Sequence, residues 1–237
     1  MLSSDSFSSS SEVSLSFAPS HTALGVASLN EQEQFWHGEF GTHYVERNLP
    51  EVYLASNVAL FSSIFKGKTP PQHLLEWGAN AGQNLHAIRT LFPHVTLSAC
   101  EINPKALQCL QESLPEVTLY PHSFREPLPL GTERPDWLLC KLVLIHQPPE
   151  ILPRLYQHML TQSERYICIA EYYHPTPVEV TYRGHEGKLF KRDFAGELLS
   201  YAHRHGYPSL ELIDYGFVYR GDPNFPQDDI TWFVLKK

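Results

Sequence analysis

The stretch Leu74-Leu75-Glu76-Trp77-Gly78-Ala79-Asn80-Ala81-Gly82-Gln83-Asn84-Leu85 decides how this chain is read. His73 to Trp77 is a short, largely apolar run of the kind that forms a buried strand. Gly78 and Gly82 punctuate it, and a helical pattern begins at Asn84. Roughly 20 residues further on, Ser98-Ala99-Cys100-Glu101-Ile102-Asn103 reads as a second strand ending in a carboxylate. Open parallel sheets bind ligands at the carboxyl ends of their strands, so these two turns face one crevice. Glycine lets the backbone pass close to a ligand, and the helix start near Gly82 offers free N–H groups. A carboxylate at Glu101 can accept bonds from two ribose hydroxyls. The spacing is G-x-x-x-G with Glu76 two residues ahead, not the G-x-G-x-x-G of a dinucleotide site.

The rest of the sequence narrows the class. At 237 residues the chain can bury a good core, most simply as one α/β domain. A net charge of −8, with no Lys/Arg-rich run, argues against nucleic acid or an anionic membrane as partner. No apolar stretch reaches the ~18 residues of a membrane span, and no secretory signal is visible, so a cytoplasmic location is expected. Cys100, Cys109, Cys140 and Cys168 are scattered, with no C-x-x-C. His203 and His205 sit two apart on their helix, on different faces, so no metal site is expected.

Residues 1–28 are Ser-rich and read as a disordered tail; 29–237 then form the domain. Asn30 and Glu33 form a capping-box pattern for a first helix, and Phe35, Trp36, Phe40 and Tyr44 follow it, within an N-terminal helical cap (29–66) that ends in a helix over Glu51–Phe65. Strands are expected at His73–Trp77, Thr96–Glu101, Val117–Tyr120, Asp136–Leu144 and Tyr166–Ala170. Helices are expected at Asn84–Phe92, Pro104–Ser113, Glu150–Thr161 and Ala195–His205. A hairpin over Leu210–Tyr219 and Thr231–Leu235 closes the chain. The succession predicts a seven-stranded, mostly parallel α/β sheet with an antiparallel last strand and helices on both faces.

The Glu76 to Gly82 form resembles the first motif of class I S-adenosylmethionine-dependent methyltransferases, whose fold is Rossmann-like. Three further blocks carry a closer likeness. These are Glu31 to Asn48; Ala170-Glu171-Tyr172-Tyr173-His174-Pro175 through Tyr182-Arg183-Gly184-His185-Glu186-Gly187-Lys188 to Glu197; and Ile213 to Tyr219 with Asn224 to Phe233. With Lys141 to His146, they resemble the pseudaminic acid biosynthesis-associated methylases, a group of that superfamily tied to nonulosonic acids of bacterial surface glycans. The likeness covers nearly everything after residue 28. It departs at Trp77-Gly78-Ala79-Asn80, where Phe and Ile or Val are expected, and at His174, where Asn is expected.

The resemblance implies roles. S-adenosyl-L-methionine would be bound by Glu76, Gly78, Ala79, Asn80, Gly82 and Asn84. Glu101 would hold the ribose, Ile102 the adenine face, and Ser123 and Phe124 the adenine edge; for the last two a plain loop competes. Lys141 would lie beside the sulfonium, and Tyr44 and Arg47 would close over the carboxylate, an arginine fork matching that group. His146, His185, Glu171 and Asp193 are the candidate bases. His146 competes with a helix-capping histidine. The loop 171–197 would form the acceptor pocket. Tyr173 and Tyr182 would supply sugar-binding rings, Arg183 and Arg192 cations for an acid, and Asp228 and Asp229 acceptors for hydroxyls or an amine.

The expected function is methylation of an O or N atom of a nonulosonic acid or its precursor, a small-molecule partner. A different small metabolite or peptide as acceptor stays open. So do a non-catalytic cofactor-binding subunit of a glycan assembly complex, and assembly as a homodimer.

Overall fold

The computed structural model describes residues 29–48, 50–131 and 134–237. The expected tail, 1–28, lies outside them. Three helices lead in: α1 (Glu31–His37), α2 (Glu39–Arg47) and α3 (Pro50–Phe65). There follow β1 (His73–Trp77), α4 (Gln83–Leu91), β2 (Thr96–Cys100), α5 (Pro104–Ser113), β3 (Thr118–Tyr120), β4 (Trp137–Lys141), α6 (Leu152–Gln162) and β5 (Tyr166–Glu171). A short ribbon, β6 (Val178–Glu179) and β7 (Phe190–Lys191), precedes α7 (Phe194–Arg204), β8 (Glu211–Val218) and β9 (Ile230–Lys236). The main sheet has seven strands in the order β3-β2-β1-β4-β5-β9-β8. Strands β1 to β5 pair in parallel, and β9 runs antiparallel to both β5 and β8. This is the expected α/β arrangement. The connections reverse direction between β1 and β4, which opens a crevice at their carboxyl ends.

Alternation along the strands divides the core. Leu74, Leu97, Leu139 and Cys168 face the side covered by α3 and α4, where they meet Phe61, Ile64, Leu85 and Ile88. Leu75, Trp77, Leu138 and Ile167 face α6 and α7, against Leu155, Met159 and Leu198. Period-2 side-chain direction requires this division, and burial on both faces is why these strands read as continuous apolar runs.

Element boundaries depart from expectation where side chains intervene. The apolar run from Asp136 to Leu144 is not one strand. It leaves the sheet after Lys141, Leu142 takes φ +56°, and Leu144–His146 form a single 3-10 turn. The cause is Glu171 at the end of β5. Its carboxylate accepts the N–H groups of Val143 and Leu144 at 2.9 Å each, and that of Ile145 at 3.4 Å. The block from 171 to 197 is likewise not a plain loop, because β6 pairs with β7 and Tyr182 with His185 across a tight turn.

Gly82 caps α4 at φ +83°, and a Cβ there would lie 2.4 Å from Leu110 Cδ1. Gly82→Ala is therefore expected to lower stability by ~1–3 kcal/mol from the backbone conformation alone. Thermal denaturation of the variant checks this; an unchanged Tm would refute it.

Candidate active site

A cavity of about 350 Å³ opens at the carboxyl ends of β1, β2 and β4, beneath α1 and α2. That is within the range of small-molecule sites. Its floor is the turn after β1. Gly78, at φ +66°, donates its N–H to the Cys100 carbonyl at 2.8 Å. Asn80 holds φ +49°, a left-handed conformation that asparagine tolerates, and donates its N–H to Glu101 Oε2 at 2.8 Å. The other oxygen of Glu101 accepts the N–H groups of Ile102 and Asn103, each at 2.7 Å. Glu101 thus ties the turn after β1 to the turn after β2, and burial pushes its carboxyl group upward. A carboxylate offers about four lone-pair positions, so three backbone bonds leave room for about one more donor. That capacity is smaller than the pair of hydroxyls expected from the sequence.

One wall is built by Ser123 and Phe124. Ser123 Oγ donates to Glu33, whose other oxygen meets Arg125 Nη1 at 2.5 Å, and Phe124 stacks on Trp77 at 5.1 Å. The roof comes from the cap and the ribbon. Trp36, Tyr44, Asn48 and Tyr53 face Tyr172, Tyr182 and Arg183 across the cavity. Asn103 caps α5 and also donates to the Trp36 carbonyl at 2.9 Å, which seats α1 on the floor.

His146 lies where these walls meet. Its ring is 4.6 Å from Trp36 and 5.0 Å from Tyr182, and Nδ1 is 2.7 Å from the Lys188 carbonyl. A carbonyl only accepts, so Nδ1 carries the proton and Nε2 keeps the basic lone pair. Burial lowers the imidazole to about 4, with the Lys188 bond opposing. The segment Gly187-Lys188 is held from three sides: the Gly187 carbonyl accepts from Gln32, the Lys188 carbonyl from His146, and Lys188 Nζ meets Glu31 at 2.6 Å.

Beside Glu101, whose partners are backbone N–H groups, Lys141, Arg183 and Asp228 line the cavity with no ion pair among the described residues. Burial lowers the Lys141 ammonium, against the opposing charges of Glu76, Asp228 and Glu171. The Asp228 charge also helps to raise the hydroxyls of Tyr44 and Tyr172, after burial itself. Buried polar atoms without partners also belong to lining residues, namely Gln32 Oε1, Trp36 Nε1, Asn84 Oδ1 and Gln147 Oε1. Buried orphans of this kind are rare unless a ligand or water completes them.

Of the residues singled out in the sequence, the structure brings Tyr44, Gly78, Ala79, Asn80, Asn84, Glu101, Ile102, Ser123, Phe124, Lys141, His146, Tyr182, Arg183 and Asp228 to this cavity. Others lie elsewhere, for identifiable reasons. Arg47 is exposed at the end of α2, and Asn48 takes the lining position instead. Gly82 packs on Leu110, and fully buried Glu76 holds Asn84 Nδ2 at 2.5 Å from behind the turn. Glu171 is consumed by the turn after β4. His185 is exposed, edge-on to Phe35 and Phe40, while exposed Tyr173 approaches Phe233. Asp193 caps α7 through the Gly196 N–H, and Arg192 pairs with Glu197 at 2.8 Å. Asp229 accepts the Arg220 N–H at 2.9 Å. Gln32, Asn48, Tyr53, Gln147 and Tyr172 were not expected. Gln32 and Trp36 are one helical turn apart, and that spacing is the signal that places both on one face.

No family model matches the chain, and no curated protein matches it in sequence. Solved structures do. The plantazolicin methyltransferase BpumL in complex with SAH is 14% identical, with a TM-score of 0.59, over 87% of this chain and 93% of its own. The magnesium protoporphyrin IX methyltransferase ChlM from Synechocystis PCC 6803, with bound SAM, is 13% identical, with a TM-score of 0.60, over 89% and 99%. Human N-acetylserotonin methyltransferase in complex with SAM gives 14% and 0.61, this chain matching 59% of its length. The chain therefore has the fold of class I S-adenosylmethionine-dependent methyltransferases.

Burial raises Glu76 to about 8 and Glu171 to about 7. Both ionise freely once unfolded, so the folded state binds their protons more tightly. Stability should fall as pH rises from the unfolded value near 4.5 through these folded values, and level off above about 8. Glu76→Gln, which cannot ionise, should flatten part of that decline. Tm measured across the range tests it, and parallel curves for both proteins would contradict the assignment.

Proposed function

We propose that the chain transfers the methyl group of S-adenosyl-L-methionine to an O or N atom of a small, acid-bearing acceptor, of the nonulosonic acid class or its precursor. The observation that carries this is a single cavity joining the glycine turn and Glu101 to the unpaired charges of Lys141, Arg183 and Asp228. The cofactor part rests on the fold, and on neighbours that hold SAM or SAH at the same fold. The acceptor part rests on the free cations and on the sequence likeness across the block from 171 to 197.

The residues fit the cofactor. Glu101 and the Asn80 turn would hold its ribose and amino-acid ends, Ile102 and Phe124 the base, and Ser123 the base edge. When bound, the cofactor supplies an electrophilic methyl on a sulfonium. The chain's own part is positioning, which alone can provide several kcal/mol of a displacement barrier. Arg183, above the Tyr182 ring at 5.8 Å, would take a carboxylate; Asp228 would take a hydroxyl or ammonium. His146 Nε2, uncharged at neutral pH, would receive the proton of the attacking atom. The aromatic roof of Trp36, Tyr44 and Tyr182 keeps bulk water from that step.

Calorimetric titration with S-adenosyl-L-methionine should show binding, weakened roughly 10- to 100-fold in Glu101→Ala, as loss of a charged acceptor costs ~1–3 kcal/mol. No affinity in the wild type would sink the reading. Arg183→Ala should leave that affinity unchanged but raise KM for a nonulosonic acid acceptor. Mass spectrometry of the acceptor should show the mass of one methyl group gained, and no gain with any such acid would refute the acceptor class.

A further inference from the structure

Strand β8 ends the main sheet and nothing described pairs with its outer side. Its solvent face is aromatic. Tyr215 is 67% exposed, Phe217 59% and, just past the strand, Tyr219 56%, with Leu212 at 41% behind them. Tyr215 lies over Phe233 of β9 at 6.4 Å, and Tyr173 reaches the same ring at 6.0 Å, so the patch continues onto the neighbouring strand. The opposite face, through Asp214, Gly216 and Val218, is half-buried. Edge strands are ordinarily blunted by charges, proline or bulges. Here a bulge falls at Ile213, but from Asp214 to Val218 the pairing with β9 is regular. The one charge in that stretch, Asp214, is engaged by Lys68 at 2.5 Å.

We infer that β8 is the contact between two copies of this chain, which pair edge to edge, antiparallel, about a two-fold axis near Gly216. Self-pairing suits this edge for three reasons. An antiparallel strand presents the same donor and acceptor pattern to its own copy, so the contact is isologous and closed. A centre at Gly216 sets Tyr215 of one copy opposite Phe217 of the other, an aromatic cross-strand pair on each side of the axis. The same register brings Glu211 at one end within reach of the second copy's Arg220, so the terminal charges are complementary rather than repulsive. At ~150–250 Å² for a whole aromatic, the exposed parts of Tyr215, Phe217 and Tyr219 amount to roughly 270–460 Å² per copy. Edge pairing covers part of this area and adds the main-chain ladder, which makes a contact smaller than the ~800 Å² per partner of a standard interface.

Sedimentation equilibrium on the full chain at micromolar concentration tests the contact. The wild type should give twice the 27.1 kDa of one chain. Phe217→Lys and, separately, Tyr215→Lys put a charge on the exposed face and should weaken dimerisation at least 10-fold, with unchanged far-UV circular dichroism and unchanged affinity for S-adenosyl-L-methionine. A wild type that stays monomeric to about 100 µM overturns the inference and leaves the face to another partner. So does a dimer that neither substitution weakens.

Discussion

The Glu171 carboxylate, set at the end of β5 and turned toward β4, determines the shape of the site. Three successive N–H groups, of Val143, Leu144 and Ile145, converge on it, and the Cys140 thiol approaches at 3.8 Å. An apolar sequence that could have continued as strand is thereby folded into a turn. That turn carries the wall of the crevice: Val143 against Gly78, then Ile145, His146 and Gln147. A carboxylate is one of few side chains able to gather several donors at one point, and burying it without them would cost several kcal/mol. The sequence marked Glu171 as a base; its acceptor capacity is instead spent on backbone.

The roof depends on a second convergence. Gly187 and Lys188 use two carbonyls and one ammonium to bind Gln32, His146 and Glu31 together. Cap, ribbon and the turn after β4 are therefore tied together at this segment. The aromatic contacts of Trp36 with Phe40, Tyr44, His146 and Tyr182 fill the space between them. A tryptophan whose ring is packed on all these partners while its Nε1 lacks one is both packing and lining, two roles that sequence reasoning treats as alternatives.

The fold was legible because the periodicities are strong. His73–Trp77 and Pro104–Ser113 form as expected, and Asn30 with Glu33 makes the predicted capping box. The glycine turn and Glu101 were legible because their chemistry is local: strand end, turn, helix start. The polar groups on the other side of the cavity were not. Arg192 and Asp193 look like Arg183 and Asp228 in sequence, a polar group beside aromatics. What separates them is whether a neighbour has already claimed the charge. Glu197 claims Arg192, and the first turn of α7 claims Asp193. Those partners lie within a few residues, so pairing and capping could have been tested from the sequence; Tyr172, Asn48 and Gln147 reach the cavity only through tertiary placement.

The charges left over bear on mechanism. His146 is buried and lowered to about 4, so at neutral pH it is a free base but a weak one. It could not strip a proton from a hydroxyl before attack. In the proposed transfer it would accept a proton that becomes acidic as the new bond forms, and for that its lone pair must be aimed rather than strong. Fixing Nδ1 on the Lys188 carbonyl aims it. Lys141 and Asp228 face the same cavity. In the proposed reaction the rate would come from placement of acceptor against donor, and the acid–base group would have only to be in the right place.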